Sequence, residues 1–119
     1  MSKVFVAEDD QTMVILLQTL LKLEGFETVS LDLADGNLFA TLEKNIPKML
    51  LLDLNLPSES GLDVLRAMRA DERFKNTRVI MASGMSARDE CMAGGADEFL
   101  MKPYMPDELI NLLKKYLNE

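Results

Sequence analysis

Pro47-Lys48-Met49-Leu50-Leu51-Leu52-Asp53-Leu54-Asn55-Leu56-Pro57 is the stretch whose reading decides the fold. Its four consecutive apolar residues, Met49 to Leu52, lie between prolines and read as a short strand buried on both faces. That is the habit of a strand inside a parallel sheet. The run ends in an aspartate. A carboxylate is costly in an apolar interior, so the chain has reached an opening there, and in open α/β sheets the openings lie at the carboxyl ends of strands. Asp53 is therefore a candidate working residue. The plainer reading is an aspartate that starts a turn by bonding its own backbone. This strand alone does not choose between them.

Outward from this strand the same grammar repeats. Upstream, Val4-Phe5-Val6-Ala7 reads as a first buried strand and also runs into acid, at Glu8, Asp9 and Asp10. Met13, Leu16, Leu17, Leu20 and Leu21 then recur at helical spacing, and Gly25 stands where a left-handed residue would end the helix. Residues 27–32 alternate polar and apolar, which suits an edge strand. Phe39, Leu42 and Ile46 form a shorter helical face before Pro47. Downstream, a loop from Pro57 to Gly61 leads to a helix lined by Leu62, Leu65 and Met68, with Arg66 and Arg69 on other faces. Val79-Ile80-Met81-Ala82 is a fourth strand, ending at Ser83-Gly84. Ser86, with Asp89 three residues on, resembles an N-cap. The helix it opens has few large apolar residues and is expected to be the least firmly anchored. Cys91 within it reads as a small packed residue. Phe99-Leu100-Met101 is a fifth strand, ending at Lys102-Pro103. Pro106 then suits a first helical turn, and Leu109, Leu112, Leu113, Tyr116 and Leu117 repeat the helical stripe.

Five strands alternating with five helices predict an α/β fold, a doubly wound five-stranded parallel sheet. The polar second strand belongs at an edge and the apolar runs inside, which fits the order 2-1-3-4-5 of flavodoxin-like sheets. In that order the first and third strands are neighbours at the switch point. A chain of 119 residues with 48% hydrophobic and 28% charged residues forms one domain, 1–119, with a full core. It has one cysteine and no histidine, which excludes an internal disulfide, His-based zinc sites and Ser-His-Asp catalysis. A formal charge of −7 argues against direct nucleic-acid binding. There is no membrane-length apolar run and no signal-peptide pattern, so a cytoplasmic setting is expected.

Parallel strands point the same way, so Glu8, Asp9, Asp53, Ser83 and Lys102 fall on one rim. Three carboxylates meeting there repel one another unless a cation sits among them, and oxygen-only ligands select a hard ion such as Mg²⁺. A carboxylate, a hard cation, a hydroxyl and an ammonium together describe phosphoryl transfer, which depends on positioning and on neutralising phosphoryl oxygens. Asp53 would be the nucleophile, with Ser83 donating to one phosphoryl oxygen and Lys102 pairing with another. Each part has a plainer reading: the acids offset a helix N-terminus, Ser83 sits in a turn, and Lys102-Pro103 is a charged loop. Their coincidence at strand ends favours the joint reading.

Val6-Ala7-Glu8-Asp9-Asp10, Leu51 to Pro57 with Gly61, Ile80-Met81-Ala82-Ser83-Gly84 and Phe99-Leu100-Met101-Lys102-Pro103 together resemble the response-regulator receiver domain of two-component signalling, over essentially the whole chain. The resemblance implies that Asp53 accepts phosphate from a histidine kinase or histidine phosphotransfer protein. It implies that Asp9 and Asp53 ligate Mg²⁺ directly, Glu8 acts mainly through water and Asn55 offers its backbone carbonyl. Lys102 matches the family's lysine, before an expected cis proline; Ser83 and Phe99 fill the switch positions. A downstream protein would then read the face from the fourth helix through the fifth strand to the fifth helix. The protein would be no enzyme beyond its own phosphorylation and slow dephosphorylation. At this length output is expected by protein contact, unless the piece comes from a longer chain.

Lys48 and Arg78 depart from the family's more usual Asp and Pro, and Phe99 lacks the hydroxyl of members with Tyr. Met85, two past Ser83, resembles the family's tuner of phosphoryl lifetime. Two alternatives stand beside this reading. A Mg²⁺-dependent phosphohydrolase would usually carry a second Asp two residues after the first, where this chain has Asn55. A receiver-like binding module that is never phosphorylated would usually have lost part of the acidic pair, the Asp or the Lys.

Overall fold

The computed structural model describes residues 2–34 and 36–117. In chain order the elements are β1 (Ser2–Ala7), α1 (Gln11–Leu23), β2 (Phe26–Ser30), α2 (Leu38–Lys44), β3 (Met49–Asp53), α3 (Gly61–Arg69), β4 (Arg78–Ser83), α4 (Arg88–Ala93), β5 (Glu98–Met101) and α5 (Pro106–Leu117). A single 3₁₀ turn, Glu72–Phe74, lies between α3 and β4. The strands form one parallel sheet in the order β2-β1-β3-β4-β5, the expected flavodoxin-like order that the hydrophobic runs fit.

Alternate residues of a strand face opposite sides, so the continuous apolar runs supply two cores at once. Val4, Val6, Leu51, Ile80 and Ala82 pack with α1 and α5 on one face. Phe5, Ala7, Leu50, Leu52 and Met81 pack under α2, α3 and α4 on the other. Every residue of β3 is buried, Asp53 included. Full burial of a leucine is worth roughly 1.5–3 kcal/mol, so Leu50, Leu51 and Leu52 can offset the several kcal/mol of desolvation that a carboxylate at the strand's end incurs.

Local chemistry sets the boundaries. Asp10 caps α1 by accepting from the Thr12 and Met13 N–H groups, and Gly25 at φ +88° closes it. The face α1 buries is Val14, Leu17 and Leu21, while the expected Leu16 is 42% exposed. Apolar residues cover more than one face of this helix, so periodicity alone misplaces the stripe's edge. Ile46 lies beyond α2 and is exposed; Leu38 is buried in its place. In α5 Ile110 is buried with Leu109 and Leu113, whereas Leu117 is exposed. Ser86 does not cap α4: Ala87 occupies that position without a side-chain bond. The buried residue of this short helix is Cys91, consistent with the weak anchoring its sequence implies. No described helix is long and apolar enough to cross a membrane.

Candidate functional site

Four strands deliver polar groups to one rim. Glu8 leaves β1, Asp53 ends β3, Ser83 ends β4 and Lys102 follows β5. Glu8 and Asp53 are only 4% and 5% exposed, although both carry carboxylates; Asp9 faces solvent. Each of these three residues brings a carboxylate oxygen within 4.8 Å of the others. Lys102 Nζ donates to Glu8 Oε1 at 2.7 Å and to Asp53 Oδ2 at 2.8 Å. The remaining oxygens accept backbone N–H groups: Glu8 Oε2 from Asp10 at 3.2 Å and Asp53 Oδ1 from Asn55 at 3.2 Å.

Burial pulls the Lys102 pKa down, but its bonds to Asp53 and Glu8 outweigh burial and hold it above the usual lysine value. The ammonium is thus fixed in its charged form, and one cation faces three carboxylates. The surplus negative charge and the all-oxygen donor set of Glu8, Asp9 and Asp53 fit a hard divalent ion.

The loop after β3 folds back tightly over the nucleophile candidate. Gly61 N–H donates to Leu54 O at 2.7 Å, and a Cβ on Gly61 would lie 2.1 Å from the Asp53 carbonyl oxygen. A side chain at position 61 would therefore displace the backbone that aims Asp53. Ser60 caps α3 by accepting from Asp63 N–H.

The plainer readings hold for parts of the site. Asp10 is a helix cap. The Ser83 hydroxyl oxygen accepts Met85 N–H at 3.0 Å, a turn role, and its carbonyl accepts Lys102 N–H at 2.8 Å. A hydroxyl has two lone pairs and one proton, so Ser83 keeps a donor for another oxygen. Asn55 is exposed and touches Asp53 through its backbone. The Lys102-Pro103 peptide is cis. Phe99 is half-buried beside a groove lined by Ala87, Arg88 and Met101.

Two features escape the sequence. Tyr104 is buried beside the pocket, and its hydroxyl has no hydrogen-bond partner among the described residues. Burial, then the negative charge of Glu8, push its pKa up to about 12. An aromatic residue directly after Lys102-Pro103 was the available signal. At the opposite end of the sheet, Arg69 is half-buried and ties α3 to the β4 and β5 entries through four hydrogen bonds.

Residues 4–114 match the response regulator receiver domain. The chain belongs to that family. It is 38% identical over 112 residues to the cell cycle transcriptional regulator CtrA of Caulobacter vibrioides, covering 91% of this chain and 47% of that protein. The chain thus spans about half the length of the curated relatives it matches. The receiver domain of Francisella response regulator 1452 superposes with a TM-score of 0.86 at 26% identity, covering 98% of this chain and 96% of that one. Response regulator TrrA of Thermotoga maritima, solved in complex with Mg(2+)-BeF, gives 0.83 at 27% identity and covers 98% of this receiver and 100% of that chain. Receiver domains interact with histidine kinases, and membership of the family disfavours the phosphohydrolase reading.

Proposed function

We propose that this receiver, residues 1–119, accepts a phosphoryl group on Asp53 from a histidine kinase or histidine phosphotransfer protein. The observation that carries this is the buried Asp53 carboxylate, held at the rim between Lys102 and the Glu8–Asp9 pair, where acids outnumber the cation. An Asp53 oxygen attacks phosphorus, the P–N bond to the donor imidazole breaks with its electron pair leaving on nitrogen, and an acyl phosphate remains. Asp9, Asp53 and the Asn55 carbonyl would hold Mg²⁺, with Glu8 acting through water. When bound, the ion supplies positive charge against the phosphoryl oxygens.

Lys102 then pairs with one phosphoryl oxygen, and the free Ser83 O–H donates to another. Charge-assisted hydrogen bonds contribute roughly 1.5–3 kcal/mol each, against about 5.5 kcal/mol needed to turn a 1:99 equilibrium into 99:1. Two such contacts are about sufficient. As Ser83 moves, the loop to α4 follows and Phe99 turns inward, changing the α4-β5-α5 face that a downstream protein reads. The groove beside Phe99, about 540 Å³, lies on that face. Met85 is exposed two residues past Ser83, where a bulky apolar side chain slows attack by water; Met85→Glu or Met85→Lys changes the autodephosphorylation rate. A cytoplasmic setting, with the kinase as partner and no direct nucleic-acid contact, completes the reading.

Incubation with a small phosphodonor and Mg²⁺ tests it. One equivalent of slowly hydrolysed acyl phosphate, absent in Asp53→Asn, supports the receiver. Many rapid turnovers indicate a hydrolase, and an unlabelled protein a binding module that is never phosphorylated.

A further inference from the structure

The face beside Phe99 carries more apolar surface and more charge than phosphoryl transfer needs. Met101, at the end of β5, is 43% exposed, and Met105, in the loop that leads into α5, is 66% exposed. Met101 lines, with Ala87 and Phe99, the groove of about 540 Å³ formed by α4 and β5. Met85, also exposed, directly precedes Ser86 of the same lining. Methionine is unbranched and polarizable, so several of them around one groove make a surface that moulds to an apolar partner.

The charge is acidic. Asp89 and Glu90 line the groove against Arg88, and Asp107 and Glu108 open α5. Asp89, Glu90 and Asp107 join no ion pair among the described residues, whereas Lys114 and Lys115 are already tied to Glu24 and Glu98. All four acids sit in first helical turns, where the helix dipole favours them, so the fold keeps a negative face at little cost. A second copy of this chain fits that face badly. Two-fold pairing sets the patch against itself, acids toward acids, with the α5 lysines already engaged. Nucleic acid is repelled by the same charges.

We propose that the occupant is a short amphipathic helix of a downstream protein, apolar on one side and flanked by lysine or arginine. Phe99 and Met101 lie on one side of β5, about 7 Å apart along the strand, close to the roughly 6 Å between i and i+4 on a helix. Two successive apolar side chains of the helix match that spacing, and its basic flanks meet Asp89 and Glu90. When Phe99 turns inward the groove deepens for the leading side chain, so affinity rises on phosphorylation. The inference deepens the downstream-partner reading above and rests on it for that dependence.

Two synthetic helices of about 14 residues test it, each with leucines at i, i+3, i+4 and i+7. One carries lysine on its flanks and the other glutamate. Amide shifts of the protein loaded with Mg²⁺ and beryllofluoride, the acyl-phosphate mimic, are followed as each is added. The lysine helix is expected to saturate, with shifts centred on residues 86–90, 99 and 101, and to bind roughly tenfold more tightly than the glutamate helix. In the double variant Asp89→Lys, Glu90→Lys the preference should reverse, with beryllofluoride affinity within about twofold of the parent's. A gain by the glutamate helix cannot come from misfolding. Shifts scattered around other exposed acids such as Glu27 and Glu72, or a preference that the double variant leaves unchanged, overturn the inference. So does sedimentation of the loaded parent as a dimer that the double variant disrupts, because a second copy is then the occupant. Lysine-helix binding that ignores beryllofluoride overturns the link to the switch. A parent that takes up no beryllofluoride overturns the phosphoacceptor reading itself, whichever helix it holds.

Discussion

The two ends of the sheet solve the problem of buried charge in opposite ways. At the β-strand entries, the Asp97 carboxylate accepts from Val79 N–H, Arg69 and Arg78, and Arg69 also donates to the Gly95, Phe74 and Thr77 carbonyls. Two cations share one carboxylate, and all three nitrogens of the Arg69 fork donate. At the strand exits, one lysine serves two buried carboxylates beside a third, and a tyrosine hydroxyl goes without a partner among the described residues. The entry end is complete within the fold. The exit end balances only when something positive arrives. Stability and signalling are thus built at opposite ends of the same five strands.

The largest expected effect lies at the closed end. Arg69→Met strips donors from three carbonyls and from Asp97, and should cost about 2–3 kcal/mol in urea unfolding, allowing for partial exposure of the pair. Mg²⁺ affinity should not change. A stability loss below about 0.5 kcal/mol would mean that this end is not the anchor described.

Lys102→Met acts at the open end, and its effect should depend on the ion. In metal-free buffer it leaves Glu8 and Asp53 buried without their cation, lowering stability by about 1–2 kcal/mol after discounting for the lysine's partial exposure. Saturating Mg²⁺ should recover most of that loss, and Mg²⁺ should bind more tightly because a competing cation is gone. A loss that Mg²⁺ leaves untouched would erase the distinction between the ends.

The contrast also explains what could be read from the sequence. Buried parallel strands are continuous apolar runs, so β1, β3, β4 and the acids that end them stand out, and parallel geometry then assembles Glu8, Asp9, Asp53, Ser83 and Lys102. Side-chain reach was not legible. Arg69 follows Met68 at the end of α3, off the helix's apolar stripe, yet its contacts lie as far as 28 residues along the chain. Tyr104 carries no periodicity of its own. Ser86 had the spacing of a cap, but the turn after Ser83 places Ala87 at the start of α4 instead.

The smallest effect is in alkali. The folded pKa values of Lys102 and of Tyr104, the latter about 12, both lie above their ordinary ones, so the fold binds these protons more tightly than the open chain does. Their contribution is intact below about pH 10 and is lost as the pH climbs through the folded values. Urea midpoints should therefore fall progressively above about pH 10, less steeply in Tyr104→Phe than in the parent. An equal slope in both would show that the phenol does not contribute.

The account's central claim is that surplus negative charge around Asp53 is there to be met by a divalent cation. Thermal unfolding of the parent and of Asp53→Asn, with and without Mg²⁺, tests this most directly. The parent should rise in melting temperature with a saturable Mg²⁺ dependence. Asp53→Asn should melt higher than the parent without metal and respond weakly when it is added. A parent indifferent to Mg²⁺, or a variant that responds equally, would contradict the claim.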